Sequence, residues 1–397
     1  MRYVIKKRTL QGFVLFFIIM FPAFQWLGFD MKFLGSGTPS YIRYMSLLSF
    51  ALSVCLYAFG KVYKKKDMPI IFYTMAVFCI SMFFYLNKGG VAFSAMISFV
   101  SVFYAVLYFA RKYGVLLVDY IFVFFTIYWF VDFIAKITPI SYKFIGSNYT
   151  FLGHKQIYSM LWALYIAVCL LRNYLRERRM SISQMGLLLL ATVVTAWNGV
   201  VVTGLAMVAM IGLLIFYKDK KNRTSKILLL TFIIVSVLNY AIVFMSYQET
   251  FIGFLTMLGE DASLNGRTYI WSLFIPEIYK SPLIGVGYKT LGIDLSLWGE
   301  GRMGMDYCHN TILQELANGG LVQMILFVIL NISTIKAAKK INNNKIRCLF
   351  FSTLVSFYLI MISESITYFC YFNLLVALIS VIGEVEGTLE KTERKMV

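Results

Sequence analysis

The chain has 397 residues, 60% of them hydrophobic and 17% aromatic, and 37 Lys and Arg against 19 Asp and Glu give it a formal net charge of +18. This composition excludes an ordinary soluble domain and indicates an α-helical protein that crosses a membrane several times. The positive charge indicates either a nucleic-acid partner or the Lys and Arg excess of cytoplasmic loops, and its distribution along the chain decides between the two.

Twelve apolar segments are candidate membrane spans, because a spanning helix needs roughly 17 to 25 mostly apolar residues. Their approximate bounds are residues 10–29, 44–60, 69–86, 91–110, 115–137, 157–171, 182–197, 200–217, 227–245, 311–332, 348–362 and 366–382. No small-residue cleavage pattern follows the first segment, so we expect it to remain as a helix. The sequence therefore predicts an all-α, polytopic integral membrane fold with about twelve transmembrane helices.

Lys and Arg concentrate in every second connection between the predicted spans. The basic connections are residues 1–8, 61–67, 111–112, 172–179, 218–226, 336–347 and 384–397. Because Lys and Arg accumulate on the cytoplasmic side of a membrane, this alternation predicts a multi-pass protein of the cell membrane with both termini in the cytoplasm. Topology explains the net charge, so the sequence predicts no nucleic-acid partner.

One connection, residues 246–308, is much longer than the others and is predicted to lie on the exterior face. Its aromatic, Gly and Pro content favours a folded functional loop over a disordered one. Apolar residues at helical spacing in residues 267–279 predict a helix that lies at the membrane interface. The predicted organisation is spans one to nine in residues 1–245, the exterior catalytic loop, spans ten to twelve in residues 309–383, and a cytoplasmic tail in residues 384–397.

Five short motifs follow one another in this loop and at the start of the next span. They are Gly266-Arg267, Trp271, the run Ser281 to Gly287, His309-Asn310 with Leu313-Gln314 after it, and Gly319-Gly320. Their order and their membrane context resemble the Wzy/WaaL family of O-antigen polymerases and ligases. The resemblance implies an enzyme that takes sugar chains from a polyprenyl diphosphate lipid on the outer face of the membrane.

A basic residue is required where the lipid diphosphate departs, because negative charge builds up on it. The planar guanidinium of arginine is suited to phosphate oxygens. Arg267, at the start of the predicted interfacial helix, is the predicted catalytic arginine, and Arg302 is a second candidate for the substrate. The alternative for Arg267 is a structural pairing with a loop acid such as Glu260 or Asp261.

Histidine is the side chain best suited to remove a proton from an acceptor hydroxyl near neutral pH. His309, one of only two histidines, stands in the motif and is predicted to act as general base or to position the acceptor. The alternative is a histidine that is merely hydrogen-bonded at the interface. The second histidine, His154, and its neighbour Lys155 are predicted to contact substrate at the exterior end of the sixth span.

Polar residues near the ends of the last three spans are further candidates. Glu364, in the predicted exterior turn between the last two spans, resembles an acidic position of the family and is predicted to hold sugar hydroxyls. Asn310, next to the catalytic histidine, is a further predicted substrate contact. Glu315 either lines the same cavity or has a packed, hydrogen-bonded role; an acid at membrane depth is costly and calls for one of the two.

The hairpin at residues 195–199 departs from the family pattern. Ligases and many polymerases of the family carry an arginine there, whereas this chain has Trp197 and Asn198. These two residues are predicted to face saccharide, with the indole stacking on a sugar ring; the alternative is an interfacial aromatic belt. The missing arginine counts against a ligase.

No residue pattern for a metal or another cofactor is present. There is no DxD pair, and the two histidines are far apart in the sequence, so the reaction is predicted to be metal-independent and cofactor-free. Six cysteines are scattered without a pairing pattern, and only Cys308 is expected to be accessible from outside.

The sequence thus predicts a glycosyltransferase that polymerises a surface polysaccharide, such as a capsule, an exopolysaccharide or O-antigen. It would move the growing glycan from polyprenyl diphosphate to a lipid-linked repeat unit. The predicted partners are the lipid-linked oligosaccharide, membrane lipid, a flippase and a chain-length regulator.

Three alternatives stay open. A ligase uses the same donor and a different acceptor. A non-enzymatic flippase or transporter of lipid-linked oligosaccharide would predict repeat symmetry and polar residues at mid-membrane in both halves, which the sequence lacks. A peptidoglycan glycosyltransferase would depend on a loop acid such as Asp261 more than on His309.

Overall fold

The structure is a computed structural model that describes residues 7–24, 40–88, 93–137, 142–144, 147–150, 153–176, 186, 201–217, 220–245, 250, 253, 256, 266–288, 291–294, 302–305 and 307–394. Most of this part of the chain is helical. The helices are α1 Lys7–Met20, α2 Ser40–Phe59, α3 Met68–Lys88, α4 Phe93–Tyr113, α5 Leu116–Ile137, α6 Lys155–Tyr174, α7 Val201–Phe216, α8 Lys221–Met245, α9 Arg267–Lys280, α10 Thr311–Lys339, α11 Asn344–Ile360 and α12 Cys370–Arg394. Short 3-10 helices occupy Phe21–Phe24 and Lys65–Asp67.

The predicted spans coincide with helices α1 to α8 and α10 to α12, and the remaining predicted span, residues 182–197, lies outside the described residues except for residue 186. Four described helical segments are long and apolar enough to cross a membrane. They are Lys65–Phe84, Asn222–Met245, Thr311–Lys339 and Cys370–Gly387. The protein is thus an α-helical membrane protein, while the number of twelve spans stays a prediction.

Two small antiparallel sheets depart from the all-α prediction. The first consists of β1 Tyr142–Phe144, β2 Ser147–Thr150 and β3 Gly153–His154, in that order. The second pairs β4 Leu291–Asp294 with β5 Arg302–Met305, with Asp294 opposite Arg302. Strands of two to four residues are too short for an alternating pattern to stand out from a loop, so the sequence did not indicate them.

Helix α9 confirms the helix predicted for the long loop. Its buried residues recur every three or four positions, as expected for one face of a helix: Arg267, Ile270, Trp271, Phe274 and Ile278. The apolar members of this face pack with Val243 of α8 and with Leu313 and Ala317 of α10 in a cluster separate from the main core. The first turn of α9 is thereby held close to the start of α10.

Helix α10 is broken at Gly320, where φ is 60° and ψ is −155°. The segment after α9 supplies carbonyl groups that accept hydrogen bonds from the amides left unpaired by the break. The amides of Leu321 and Val322 donate to the carbonyls of Pro282 and Leu283 at 2.9 and 3.1 Å. Unpaired backbone groups are costly inside a membrane protein, so this segment and the break stabilise each other.

The same segment also completes the first half of α10. The amides of Val286 and Gly287 donate to the carbonyls of Ala317 and Asn318 at 2.7 and 3.0 Å. At Gly285, where φ is 63°, a Cβ atom would lie 2.5 Å from the carbonyl oxygen of Ala317. The glycines of the Ser281 to Gly287 motif therefore allow two backbones to approach closely, which is a structural role.

Replacing Gly320 with alanine should lower the free energy of unfolding by about 1 to 3 kcal/mol, because the backbone angles of Gly320 fall in a region that side chains rarely adopt. Thermal unfolding of the purified protein in detergent measures the loss. Gly212→Ala in α7 is the matched control, since nothing lies within 4 Å of its added Cβ and alanine favours a helix. Equal unfolding temperatures for Gly320→Ala and the wild type would contradict the structural role of the break.

Charged side chains gather at the other end of the helices. Arg111 at the end of α4 binds both carboxylate oxygens of Asp67 at 2.6 and 2.7 Å, and it also contacts Glu384 of α12. Glu384 lies roughly 21 Å along α12 from Cys370, at 1.5 Å per residue. Helix α12 continues to Arg394, so the predicted boundary of a cytoplasmic tail at residue 384 falls inside a helix. That this end faces the cytoplasm stays a prediction.

Candidate functional site

A buried carboxylate, Glu364, joins three segments that are distant in the sequence. It lies in the turn between α11 and α12, and its side chain is 0% exposed. Its Oε1 is 3.3 Å from Nη2 of Arg267, and its Oε2 is 3.3 Å from Nδ1 of His309. The hydroxyl of Tyr307 donates to the same Oε2. The two predicted catalytic residues are therefore held on the two oxygens of one carboxylate.

Arg267 is the first residue of α9 and is largely buried. The residue before it, Gly266, has φ 82°, a left-handed conformation that glycine adopts without strain and that turns the chain into the helix. Arg267 thus begins a 14-residue helix, and the backbone amides and the dipole of a helix favour anions at such an N-terminus. Binding of a phosphate group by Arg267 stays a prediction.

His309 is one of two described non-glycine residues with positive φ, at 53°. Such a conformation costs about 1 to 3 kcal/mol and persists only where the surroundings enforce it. The adjacent amides enforce it here: Cys308 donates to Oε1 of Gln314 at 2.8 Å, and Asn310 donates to Oγ of Ser365 at 3.1 Å. The backbone at His309 is thus fixed on both sides.

The contact with Glu364 assigns the tautomer of His309. An ionised carboxylate only accepts hydrogen bonds, so Nδ1 of His309 carries a hydrogen, and in the neutral ring Nε2 carries the lone pair. The side chain of His309 is 20% exposed, whereas that of Glu364 is fully enclosed. His309 is therefore arranged to present a basic nitrogen to a ligand.

Burial alone would raise the pKa of Glu364, but the positive charges of Arg267 and of the protonated His309 ring, with the hydrogen bonds from His309 and Tyr307, outweigh it and hold this pKa below its usual value. Glu364 is therefore a carboxylate at neutral pH. Burial and the neighbouring Glu364 raise the pKa of Tyr307 well above its usual value. The Tyr307 hydroxyl therefore stays protonated and donates a hydrogen bond to Glu364.

Hydroxyl groups fasten the turn that carries Glu364 to the start of α10. Oγ1 of Thr311 donates to the Glu364 carbonyl at 2.7 Å and accepts from the amide of Ile366 at 3.0 Å. Oγ of Ser365 lies 3.1 Å from the carbonyl of Asn310. These contacts fix Glu364 relative to His309.

Asn310 was predicted to contact substrate, and that contact stays a prediction. Its side chain is fully buried and caps α10: Oδ1 accepts from the amide of Leu313 at 3.0 Å. Its Nδ2 donates to the Ile362 carbonyl at 3.1 Å and to Asn239 of α8. Because a side-chain cap stabilises the first turn of a helix, the structure gives Asn310 a structural role.

Glu364 is enclosed and bound to Arg267, His309 and Tyr307, and its predicted contact with sugar hydroxyls stays a prediction. Glu315 is 1% exposed and accepts hydrogen bonds from Tyr73 at 3.1 Å and from Gln323 at 2.9 Å. Of the two interpretations of Glu315, the structure supports the packed, hydrogen-bonded role.

The other predicted site residues are not brought to this cluster by any described contact. Arg302 lies in β5, His154 in β3, and Lys155 begins α6; the structure describes only the backbone of these three residues. Trp197 and Asn198 lie outside the described residues, so their predicted roles stay predictions.

Sequence reasoning missed Tyr307 and misplaced Cys308. Cys308 was expected to be accessible, yet it is 0% exposed, and its carbonyl accepts from the indole of Trp271 at 3.0 Å. The sequence did offer one indication of Tyr307: it stands two positions before His309, and a residue so near a motif histidine in sequence is also near it in space. The role of Tyr307 depends on its contact with Glu364, which is distant in sequence, and no local pattern indicates that contact.

Fold and site together define an α-helical membrane protein with a buried Arg–Glu–His cluster at one end of its helices. Residues 185–328 match the family model described as O-antigen ligase. This segment contains Arg267 and His309, while Glu364 lies beyond it. The resemblance to the Wzy/WaaL-like family of membrane polysaccharide polymerases and ligases is thereby confirmed.

One curated relative is named for the production of an exopolysaccharide. The chain is 36% identical over 81 residues to the exopolysaccharide production protein ExoQ of Rhizobium meliloti (strain 1021). The match covers 18% of this chain and 18% of that protein, so it spans about a fifth of the relative's length.

Proposed function

We propose that the protein is a surface polysaccharide polymerase that moves a growing glycan from polyprenyl diphosphate to a lipid-linked repeat unit. The observation that carries the proposal is the placement of Arg267 and His309 on opposite oxygens of Glu364. The match to the O-antigen ligase family and the similarity to an exopolysaccharide production protein support this class of reaction.

Arg267 would stabilise the departing diphosphate. As the bond between the anomeric carbon and the phosphate oxygen breaks, the leaving oxygen takes the electron pair and becomes negative. A guanidinium that is already held by Glu364 needs no reorganisation to receive this charge. The amides at the start of α9 would add a second source of positive potential. Metal independence of the reaction stays a prediction.

His309 would activate the acceptor. Its Nε2 takes the proton of the acceptor hydroxyl while that oxygen attacks the anomeric carbon, and the imidazolium that forms lies against Glu364. A buried carboxylate on Nδ1 stabilises that positive charge and keeps the ring oriented. The imidazolium then passes the proton to water, which reaches the 20% of the His309 side chain that is exposed.

The proposal places this site on the exterior face of the cell membrane, with a flippase and a chain-length regulator as partners. A transporter is less well supported, because the Arg–Glu–His cluster lies at one end of the helices, where it would act on a headgroup. Ligation stays the second candidate, favoured by the description of the matching family. The missing arginine at residues 195–199 favours polymerisation.

A deletion strain distinguishes the two reactions. If the protein is a polymerase, its loss should leave polyprenyl diphosphate loaded with single repeat units and abolish the long surface polymer. Lipid extraction and mass spectrometry of the carrier-linked glycan measure this, and restoring the wild-type gene is the control. Long glycan that accumulates on the carrier would instead show a ligase.

A further inference from the structure

Tyr307 is the third side chain that binds the Glu364 carboxylate. Its hydroxyl donates to Oε2, the oxygen that also faces Nδ1 of His309, and accepts from the amide of Ser365 at 3.3 Å. The hydroxyl therefore connects the carboxylate with the backbone of its own turn. Rotation of the carboxylate away from His309 would break this connection.

The ring of Tyr307 also contacts His309 directly. The two rings meet edge-on, with centroids 4.3 Å apart and an angle of 64° between their planes. The rings of Tyr368 and Phe369 also lie close to Tyr307, with centroids 5.1 and 5.2 Å from that of its ring. Edge-to-face aromatic contacts at these distances restrict ring orientation, so Tyr307 is held and in turn limits the movement of His309.

We propose that Tyr307 is a positioning residue that keeps Glu364 and His309 in the geometry required for transfer. The proposal rests on the function proposed above. Tyr307 acts through Glu364: with its hydroxyl on Oε2, the carboxylate keeps Oε1 directed to Arg267 and the remaining lone pair of Oε2 directed to His309. A missing hydroxyl would leave the amide of Ser365 without this acceptor and allow the carboxylate to turn.

Tyr307→Phe should lower kcat about tenfold and leave KM within about twofold of the wild type, since a general base contributes 10² to 10⁴ in rate and a loosened base loses part of it. The assay uses purified protein in liposomes and lipid-linked repeat units extracted from the deletion strain. Tyr358→Phe is the control: its buried hydroxyl has no hydrogen-bond partner among the described residues, so its loss should change neither constant.

A double-mutant cycle separates positioning from general packing. In the Glu364→Gln background, Tyr307→Phe should cost much less than in the wild type, because residues that act through one another are not additive. Losses that multiply independently, or a loss confined to KM, would overturn the proposal. A fully active Tyr307→Phe beside an inactive His309→Ala would overturn it and leave the proposed function intact, whereas a fully active His309→Ala would overturn the proposed function.

Discussion

His309→Ala should lower kcat by about 10² to 10⁴, the range that a positioned general base contributes, with a much smaller change in KM. The reason is the orientation of the ring: Nδ1 faces the buried carboxylate of Glu364, so Nε2 is the nitrogen left for the acceptor hydroxyl. Rates of repeat-unit transfer in liposomes, at equal amounts of folded protein, measure the loss.

His309→Asn is the sharper variant. Asparagine tolerates the positive φ of 53° at this position, and its amide can donate to Glu364 as Nδ1 does, but it has no basic nitrogen. If Nε2 is the base, the asparagine variant should fold as the wild type and be as inactive as the alanine variant. Near-normal activity of His309→Asn would show that the histidine only maintains the structure.

The architecture could be predicted from the sequence wherever an apolar run is long. Hydrophobicity over many residues overrides local detail, which is why predicted spans coincide with α1 to α8 and α10 to α12. The break of α10 at Gly320 was not predicted, because it depends on hydrogen bonds from residues 282–287. A glycine inside an apolar helix has the same local pattern whether or not a distant segment inserts beside it.

The site was only partly predictable for the same reason. Arg267 and His309 were selected because they stand in the family motifs and their chemistry suits a diphosphate and a hydroxyl. That selection does not require any knowledge of distances in the fold. Glu364 was assigned to sugar hydroxyls and Asn310 to substrate, and both contacts stay predictions. What the sequence did not indicate is that the first is a buried carboxylate shared by three side chains and the second a helix cap. Burial and the identity of a partner are properties of the fold, so a polar residue near a motif cannot be assigned from its type alone.

The partners of Glu364 also explain why an acid is tolerated in this buried turn. An uncompensated buried charge is expensive, and a buried ion pair stabilises only with good geometry and additional hydrogen bonds. Here Arg267, His309 and Tyr307 share the carboxylate. In the proposed mechanism Arg267 therefore has two roles, one toward Glu364 and one toward substrate, and a single substitution affects both.

Arg267→Ala should lower kcat/KM by about 10² to 10³, the usual cost of removing one preorganised donor from a developing negative charge. It should also lower the free energy of unfolding, because breaking a buried pair costs about 3 to 5 kcal/mol when its partner stays charged. Arg267→Lys keeps the charge but loses the planar fork that can serve Glu364 and a phosphate together, so we expect an intermediate rate. Transfer rates and thermal unfolding, measured on the same preparations, give both quantities.

The double variant Arg267→Ala with Glu364→Gln separates the two roles of the arginine. It removes the carboxylate charge together with its partner, so the unfolding temperature should recover most of what Arg267→Ala alone loses. Activity should stay low, because the guanidinium of Arg267 is no longer there to receive the charge of the departing diphosphate. Recovery of both stability and transfer rate would mean that Arg267 serves only to neutralise Glu364, and the phosphate would then need a different ligand.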